Sequence, residues 1–512
     1  MRTQRVVVIG AGIGGLVAAL ELASLGLAVT VVERAATPGG KLRQVNVDGQ
    51  QLDAGPTVFT MRWVFDEILA GVNASLADYL DLQPVDVLAR HAWSVRERLD
   101  LFADTARAAD AIGALAGPAE AKRYRSFCAQ ARRIYQTLER PFICAARPGL
   151  PGLVRNVGIR NLDDLWHIQP FATMWQALSA HFHDPRLRQL FGRYATYCGS
   201  SPYAAPATLM LIAHVEQQGV WLVRGGMYRI AQVLTELAAA RGAQFRYAEE
   251  ASGVLVAHGR AAGVLLATGE RLDADAVVVN ADTAAIASGR LGSAIASAVR
   301  PTPRARRSLS AITWALVART HGFPLVRHCV FFSQNYAAEF DDLFKHRRLP
   351  RQPTVYVCAQ DRTDTEAATG GPERMLCLVN APAGGDAPAT DRAEIERCER
   401  SAFELLERCG LHVQRRPEAT VITTPRDFER LFPATGGALY GPATHGWRAT
   451  FRRPGPRCHI PGLYLAGGST HPGPGVPMAA LSGRQAAASL LADLASTSRS
   501  AMVAMPGGTS TR

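Results

Sequence analysis

What the chain lacks narrows the field first. Its nine cysteines are scattered from Cys128 to Cys458, odd in number and with no C-x-x-C pair. That argues against a zinc site and a disulfide framework and fits free thiols in a reducing compartment. No stretch of about eighteen apolar residues offers a membrane span. The apolar N-terminus is broken by four glycines and Glu21, and no small-residue cleavage site follows, so it reads as neither span nor signal peptide. There is no helix-turn-helix, finger or RNA-binding signature, which sets nucleic acid aside as a partner. No Ser-His-Asp set, carboxylate pair or metal-ligand cluster stands out, so no metal site and no acid–base residue is assigned. His181 and His183, beside Asp184, come nearest to a metal site, but a spacing of i, i+2 on a helix puts the two imidazoles on different faces.

What is present is a folded globular composition, 48% hydrophobic and 20% charged, over 512 residues, enough for two or three domains. The net charge of +12 gives a basic surface suited to anionic lipid headgroups. Arg usage in a GC-rich coding background explains the same excess equally well.

The chain is organised around its first thirty-odd residues. Val6 to Ile9 is a β-branched run short enough to be a buried strand. Gly10, Gly12 and Gly15 follow in the order G-x-G-x-x-G, then a helical stretch from Leu16 to Leu25 closed by Gly26, then a second strand from Ala28 to Val32 that ends on Glu33. Gly10 allows the tight turn, Gly12 lets main chain approach a pyrophosphate, and Gly15 lets helix and strand pack closely. The helix start offers free N–H groups and a positive dipole end. Glu33 stands where an acid hydrogen-bonds ribose hydroxyls. Strand, glycines, helix, strand and acid in this order predict a dinucleotide site.

Further glycine elements follow. Gly39 and Gly40 make a turn, and Lys41 supplies a cation for a phosphate or a flavin carbonyl. A short strand, Leu52 to Ala54, meets Gly55, Pro56 and Thr57. An Asp48-Gly49 hairpin accounts for Gly49 but not for the others. Gly225 and Gly226 precede a helix from Ile230 to Arg241. Near the end a strand runs into the loop Gly467 to Met478, and a helix from Ala479 to Leu494 follows. Four separated glycine elements are hard to explain without a long, flavin-type cofactor.

Between them, residues 62–220 are mostly helical in pattern, for example Ser75 to Leu82, Ala108 to Ala116 and Ala119 to Leu138, with a loop at Arg147 to Gly158. Trp166, Phe171, Trp175, Phe182, Phe191, Tyr194 and Tyr197 make this region aromatic; such residues at helical spacing are core, and as a group they could line an apolar tunnel. Short strands at 245–280, ending in the run Ala276 to Asn280, return the chain to the first sheet. Alternating strands within 300–425 predict an antiparallel sheet, the floor of a substrate pocket. Ser496 to Arg512, rich in Ser, Thr and Gly, reads as disordered.

The stretches VVVIGAGIGGLVAAL, ERAATPGGKL, LDAGPTVFTMRWVFDEIL, DPRLRQLFGRYATYCGSSPYAAPATLMLIAHVEQQGVWLVRGGMYRIAQVL and GLYLAGGSTHPGPGVPMAALSGRQAA resemble the bacterial carotenoid desaturases, within the flavin amine oxidase superfamily. The loop Thr470-His471-Pro472-Gly473, with Gly475 and Pro477, is the more specific part, and the acid that amine oxidase relatives carry near Gly468 is missing. The run Gly55 to Asp66 is similar to the 1-hydroxycarotenoid 3,4-desaturases (methoxyneurosporene dehydrogenases) of purple phototrophic bacteria. The resemblance implies an α/β chain with a discontinuous Rossmann-like FAD-binding domain (1–75, 221–290 and 451–495), a helical membrane-facing region (76–220) and an antiparallel-sheet substrate domain (291–450). It implies FAD, held by Gly10, Gly12, Gly14, Gly15, Glu33, Arg34, Gly40, Lys41, Gly55, Pro56, Thr57, Val254, Gly467, Gly468, Gly475, Val476 and Met478. It implies an acyclic carotenoid substrate, oxygen or a quinone as electron acceptor, and a cytoplasmic protein peripheral on the inner face of the membrane. The implied reaction is C3–C4 desaturation of a 1-hydroxycarotenoid. A phytoene desaturase or a carotene isomerase, an amine oxidase relative, and a flavin or carotenoid carrier are the other readings. His471 is either a structural turn residue or a proton acceptor.

Overall fold

A computed structural model describes residues 3–146, 169, 171–363, 370–387 and 392–503, with side chains as far as 496. Its first layer is a five-stranded sheet in the order Gln244–Tyr247, Ala28–Glu33, Arg5–Ile9, Ala276–Val279, Leu463–Leu465, every pair parallel. The central strand Arg5–Ile9 is buried on both faces, as a parallel sheet covered on both sides requires. Val6 and Val8 point into a core shared with the helix Ile13–Ser24. Val7 and Ile9 point the other way, onto a three-stranded antiparallel sheet that supplies Val254, Val264 and Leu266. Strands of this one sheet come from three distant parts of the chain. The helices Arg229–Ala240 and Val476–Val503 flank Ile13–Ser24.

The second layer is an eight-stranded sheet around the long strand Ser310–His321. It is mixed, not antiparallel as the alternation predicts. His328–Phe331 pairs in parallel with Val87–Ala92, which is itself paired with Arg98–Phe102. Those two strands fall in the stretch read as helical. Their sequences VLARHA and RLDLF carry charge at the pairing positions, because Arg90 and Asp100 sit opposite each other and join in a two-pronged ion pair of 2.6 Å contacts. The helix read from Ser75 to Leu82 is only a turn of 3-10 helix, Leu76–Asp78, followed by the strand Leu82–Pro84. The predicted helices at 108–116 and 119–138 form, as Thr105–Ala116 and Pro118–Leu138.

The hairpin at Asp48 and Gly49 joins Gln44–Val47 to Gln50–Asp53, with both turn residues at positive φ. Phe127, Phe182 and Phe191 are fully buried against one another, the core reading of that aromatic group. Phe171 stays exposed. The helix Met174–His181 ends at His181, so His183 lies beyond it. The last helix runs on to Val503, past the point at which the Ser- and Thr-rich composition predicts order to end. The loop at Arg147 to Gly158, Trp166 and residues 504–512 lie outside the described residues. Among the described residues no helix is long and apolar enough to cross a membrane. All nine cysteines are free.

Candidate functional site

The site is built where the parallel strands end. Gly10 closes the first turn by donating its N–H to Val32 (2.8 Å). Helix Ile13–Ser24 starts at Gly12 with no side-chain cap and no acid in its first turn, so its end carries an uncancelled positive dipole. A Cβ at Gly15 would lie 2.1 Å from the Gly10 carbonyl oxygen, which makes glycine obligatory there. Glu33 is buried at the end of its strand; its two oxygens accept from Ala11 N–H (2.7 Å) and Ala35 N–H (2.8 Å). The acid thereby holds the loop in shape, and each oxygen keeps a further lone pair.

The second glycine element folds onto the first. Gly39 donates to the Ala11 carbonyl (2.8 Å), and a Cβ at Gly40 would lie 3.3 Å from Gly12 Cα. Lys41 donates to the Leu439 carbonyl (2.6 Å), and burial pulls its pKa down. A Cβ at Gly55 would lie 2.0 Å from the Lys41 carbonyl oxygen, so the Gly55-Pro56-Thr57 turn packs directly on the Gly39–Lys41 turn. The C-terminal loop closes the other side: a Cβ at Gly14 would lie 3.0 Å from Gly467 N. Gly467 is fixed by Ser482 and Thr470 (3.1 and 2.6 Å). Gly475 accepts from Ala479, and Val476 and Met478 begin the last helix against the main core.

Two predicted contacts stand apart. Arg34 is exposed and donates to the carbonyls of Arg430 and Leu431. Val254 lies in the antiparallel sheet across the parallel one, its N–H on the Leu291 carbonyl (2.9 Å). His471 is buried with Nε2 on the Phe142 carbonyl (2.9 Å) and its ring edge-on to Phe142, which is the structural role. The Gly225–Gly226 element has a local cause: a Cβ at Gly226 would lie 2.4 Å from Asp53 Oδ2.

Two groups, and most of a third in which only Thr57 and the tunnel aromatics Tyr194 and Tyr197 were singled out, escaped the sequence reading. Asn280 follows the strand Ala276–Val279, and its amide sits within 3.1 Å of where a Cβ would stand at Gly12, Gly14, Gly15 and Gly467. The bare glycine walls of two loops thus close around one side chain. Its position directly after a β-branched strand was the available signal. Arg453 is buried and donates to the carbonyls of Gly468, Tyr440 and Pro442 (3.1, 3.1 and 2.8 Å), pinning the Gly467 loop; burial lowers its pKa. No spacing announces it.

The third group surrounds a small cavity of about 20 Å³, lined by Val58, Arg193, Tyr197, Glu216, His328 and Tyr356 among others. Thr57 Oγ1 is 2.6 Å from Tyr356 Oη, which is 2.7 Å from His328 Nδ1. Burial pushes the His328 pKa down to about 3, so the imidazole is neutral. Glu216 is buried, accepts from Tyr194 (2.6 Å), and has its pKa raised by burial. The Arg193 guanidinium lies over the rings of Tyr356 and Tyr197 (5.2 and 5.6 Å). Leu88, Leu190 and Val330 complete an apolar wall. Among the described residues no His, Cys, Asp and Glu side chains group as a metal site.

The uncapped helix end, the buried acid of Glu33 and a loop with no side chains at Gly10, Gly12 and Gly14 fit a nucleotide pyrophosphate and ribose. The Gly39–Lys41 and Gly55–Thr57 turns pack on each other beside it, and Thr57 reaches the cavity wall through Tyr356.

Comparison with known proteins follows the same lines. The profile of a family described as flavin containing amine oxidoreductase matches residues 13–491. The chain is 58% identical to a hydroxyneurosporene desaturase of Rubrivivax gelatinosus, over 100% of this chain and 98% of that protein. It is 43% identical to a hydroxyneurosporene desaturase of Cereibacter sphaeroides, over 97% and 99%. The solved structure of a cyclohexylamine oxidase from Brevibacterium oxydans superposes with a TM-score of 0.57 at 15% identity, over 96% and 100%, a likeness of fold.

Proposed function

The chain belongs to the flavin-containing amine oxidoreductase family, and from that premise we infer that it is an FAD-dependent desaturase of 1-hydroxy acyclic carotenoids, forming the C3–C4 double bond. The observation that carries the reading is the 58% identity, end to end, to a hydroxyneurosporene desaturase. The small cavity next to Val58 supports it, because its lining combines apolar side chains with hydrogen-bonding groups.

The residues proposed to hold the cofactor are Gly10, Gly12, Gly14, Gly15 and the helix end for the pyrophosphate, with Glu33 for the ribose. Gly40, Lys41, Gly55, Pro56, Thr57, Gly467, Gly468, Gly475, Val476 and Met478 are proposed for the flavin end, with Arg34 and Val254 as outlying contacts. Bound flavin supplies a hydride acceptor. Val58, Leu88, Leu190 and Val330 would give the end of the polyene an apolar wall, and positioning the C3–C4 bond against the bound flavin would be the protein's main contribution. Removal of hydride from an allylic carbon leaves a cation spread over the substrate's own polyene, and loss of the neighbouring proton completes the double bond. The protein therefore needs positioning more than a strong acid–base pair. We further propose that the protein draws its substrate at a membrane surface, as the +12 net charge supports, and that oxygen or a quinone accepts the electrons.

The test is an anaerobic mixture of FAD-loaded protein with 1-hydroxyneurosporene in liposomes, followed by flavin bleaching and the polyene bands together. Bleaching with a red shift of the polyene is the expected result. A response to phytoene instead would leave fold and cofactor in place and overturn the substrate.

A further inference from the structure

The cavity is lined by two imidazoles with a buried nitrogen that no described residue satisfies, His91 at Nδ1 and His328 at Nε2. His328 is 3% exposed, and its Nε2 is buried with no hydrogen-bond partner among the described residues. Its other nitrogen is engaged: Nδ1 is 2.7 Å from Tyr356 Oη, and that hydroxyl is 2.6 Å from Thr57 Oγ1. The ring therefore cannot turn to hide the open nitrogen without breaking a chain of bonds that starts at Thr57. The ring is stacked on Tyr356, and His328 and Tyr356 lie on paired neighbouring strands, so the arrangement is rigid. A buried, unpaired donor or acceptor is costly, and beside a cavity its partner is a molecule that the cavity admits, water or ligand.

Resting on the desaturase reading above, we propose that His328 Nε2 binds the tertiary hydroxyl of the substrate and so selects a hydroxylated end group over a hydrocarbon one. In a 1-hydroxycarotenoid the hydroxyl sits on C1 and the bond to be desaturated begins at C3, with a single carbon between. The group that reads the hydroxyl must then stand next to the reacting bond, and the Thr57–Tyr356–His328 chain links the proposed flavin contact to the cavity in that way. The neutral imidazole has one N–H and one lone pair. If Tyr356 donates to Nδ1, Nε2 carries the proton and needs an acceptor; if Nδ1 donates to Tyr356, Nε2 needs a donor. A hydroxyl serves either tautomer, whereas a methyl or a vinyl carbon serves neither. The Thr57 and Tyr356 hydroxyls are positioning groups, fixing the ring for the contact that His328 makes.

The experiment compares kcat/KM for 1-hydroxyneurosporene and for neurosporene, which lacks the hydroxyl, in the FAD-loaded wild type and two variants. His328→Asn keeps a group near Nδ1 and loses the reach of Nε2; His328→Gln reaches the Nε2 position. The wild type is expected to favour the hydroxylated substrate by about 100-fold or more. In His328→Asn that ratio should fall at least about tenfold, and His328→Gln should restore part of it. An unchanged ratio in His328→Asn, or a wild type that does not discriminate, overturns the proposal. Should His328→Asn fail to hold flavin, Tyr356→Phe, which frees the ring, is expected to lower the same ratio, and an unchanged ratio there is equally fatal. A wild type that desaturates phytoene and neither of these substrates would instead remove the parent reading, an outcome visible before any variant is made.

Discussion

The Asp53 carboxylate accepts a 2.6 Å hydrogen bond from the main-chain N–H of Met227, a residue 174 positions further along the chain. It also receives Tyr228 N–H at 3.4 Å and Gln44 Nε2 at 3.2 Å, and Asp53 is buried. This one side chain ties the strand Gln50–Asp53 to the start of the helix Arg229–Ala240. Asp53→Ala should lower stability by about 1–3 kcal/mol, since it strands two N–H groups. Chemical denaturation read by tryptophan fluorescence measures it. A variant as stable as wild type would show the tie to be idle.

Gly15→Ala places a methyl 2.1 Å from the Gly10 carbonyl oxygen, both on the proposed pyrophosphate loop. The loop or the helix must move, at a cost of about 2–4 kcal/mol, and purified protein should lack the visible flavin band. Gly12→Val should also come out without flavin. Gly26→Ala is the control: its φ is +80°, but nothing lies within 4 Å of the added atom, so about 1 kcal/mol of strain and full flavin content are expected.

Arg453→Leu removes the donor shared by the Gly468, Tyr440 and Pro442 carbonyls and frees the Gly467 loop. A loss of about 2–4 kcal/mol and a weaker hold on flavin are expected, with Arg453→Lys intermediate because an ammonium cannot span all three carbonyls. Flavin retained through a desalting column, together with the melting temperature, gives both readouts.

Glu339 is buried beside Thr354, whose hydroxyl and N–H it accepts (2.6 and 3.2 Å). Burial raises its pKa to about 7 from 4.5. The folded state then binds the proton more tightly than the unfolded chain. Its contribution to stability is fully present below pH 4.5 and is lost as pH rises to 7, a span of about 3 kcal/mol. Glu339→Gln should flatten that part of the stability–pH curve. A slope that survives the substitution would place its origin in another group.

The strand–loop–helix unit proposed to hold the nucleotide was legible because its signal is local. Gly10, Gly12, Gly15 and Glu33 act on main chain within about one strand–helix–strand unit, and residue types at fixed offsets carry the geometry. The parallel sheet was legible in its pieces, since AVTVV and AVVV are runs rich in β-branched residues, the second buried on both faces. The strands Val87–Ala92 and Arg98–Phe102 were not, because the Arg90–Asp100 pair puts charge where a core strand would show apolar residues. The cavity proposed for the substrate was legible only in Tyr194 and Tyr197, two of the aromatics read as possible tunnel lining. Thr57 and Tyr356 are 299 residues apart, and His328 is one polar residue on a strand of four. Nothing in the spacing of these three announces that two neighbouring strands of one sheet and the loop at Thr57 bring them together. Arg453 makes its three bonds to main-chain carbonyls, which leave no trace in the sequence.

The parallel sheet has a consequence for how this protein is made. Its edge strand Leu463–Leu465 docks on Ala276–Val279, and the helix that follows packs on Ile13–Ser24. During synthesis the first strand emerges more than four hundred residues before that partner. Until then its apolar helix Ile13–Ser24, buried along most of its length in the finished fold, has at most the flank given by Arg229–Ala240. The nascent chain must therefore be kept from aggregating for most of its time on the ribosome. Release of the C-terminal strand and helix is the event that seals the nucleotide fold.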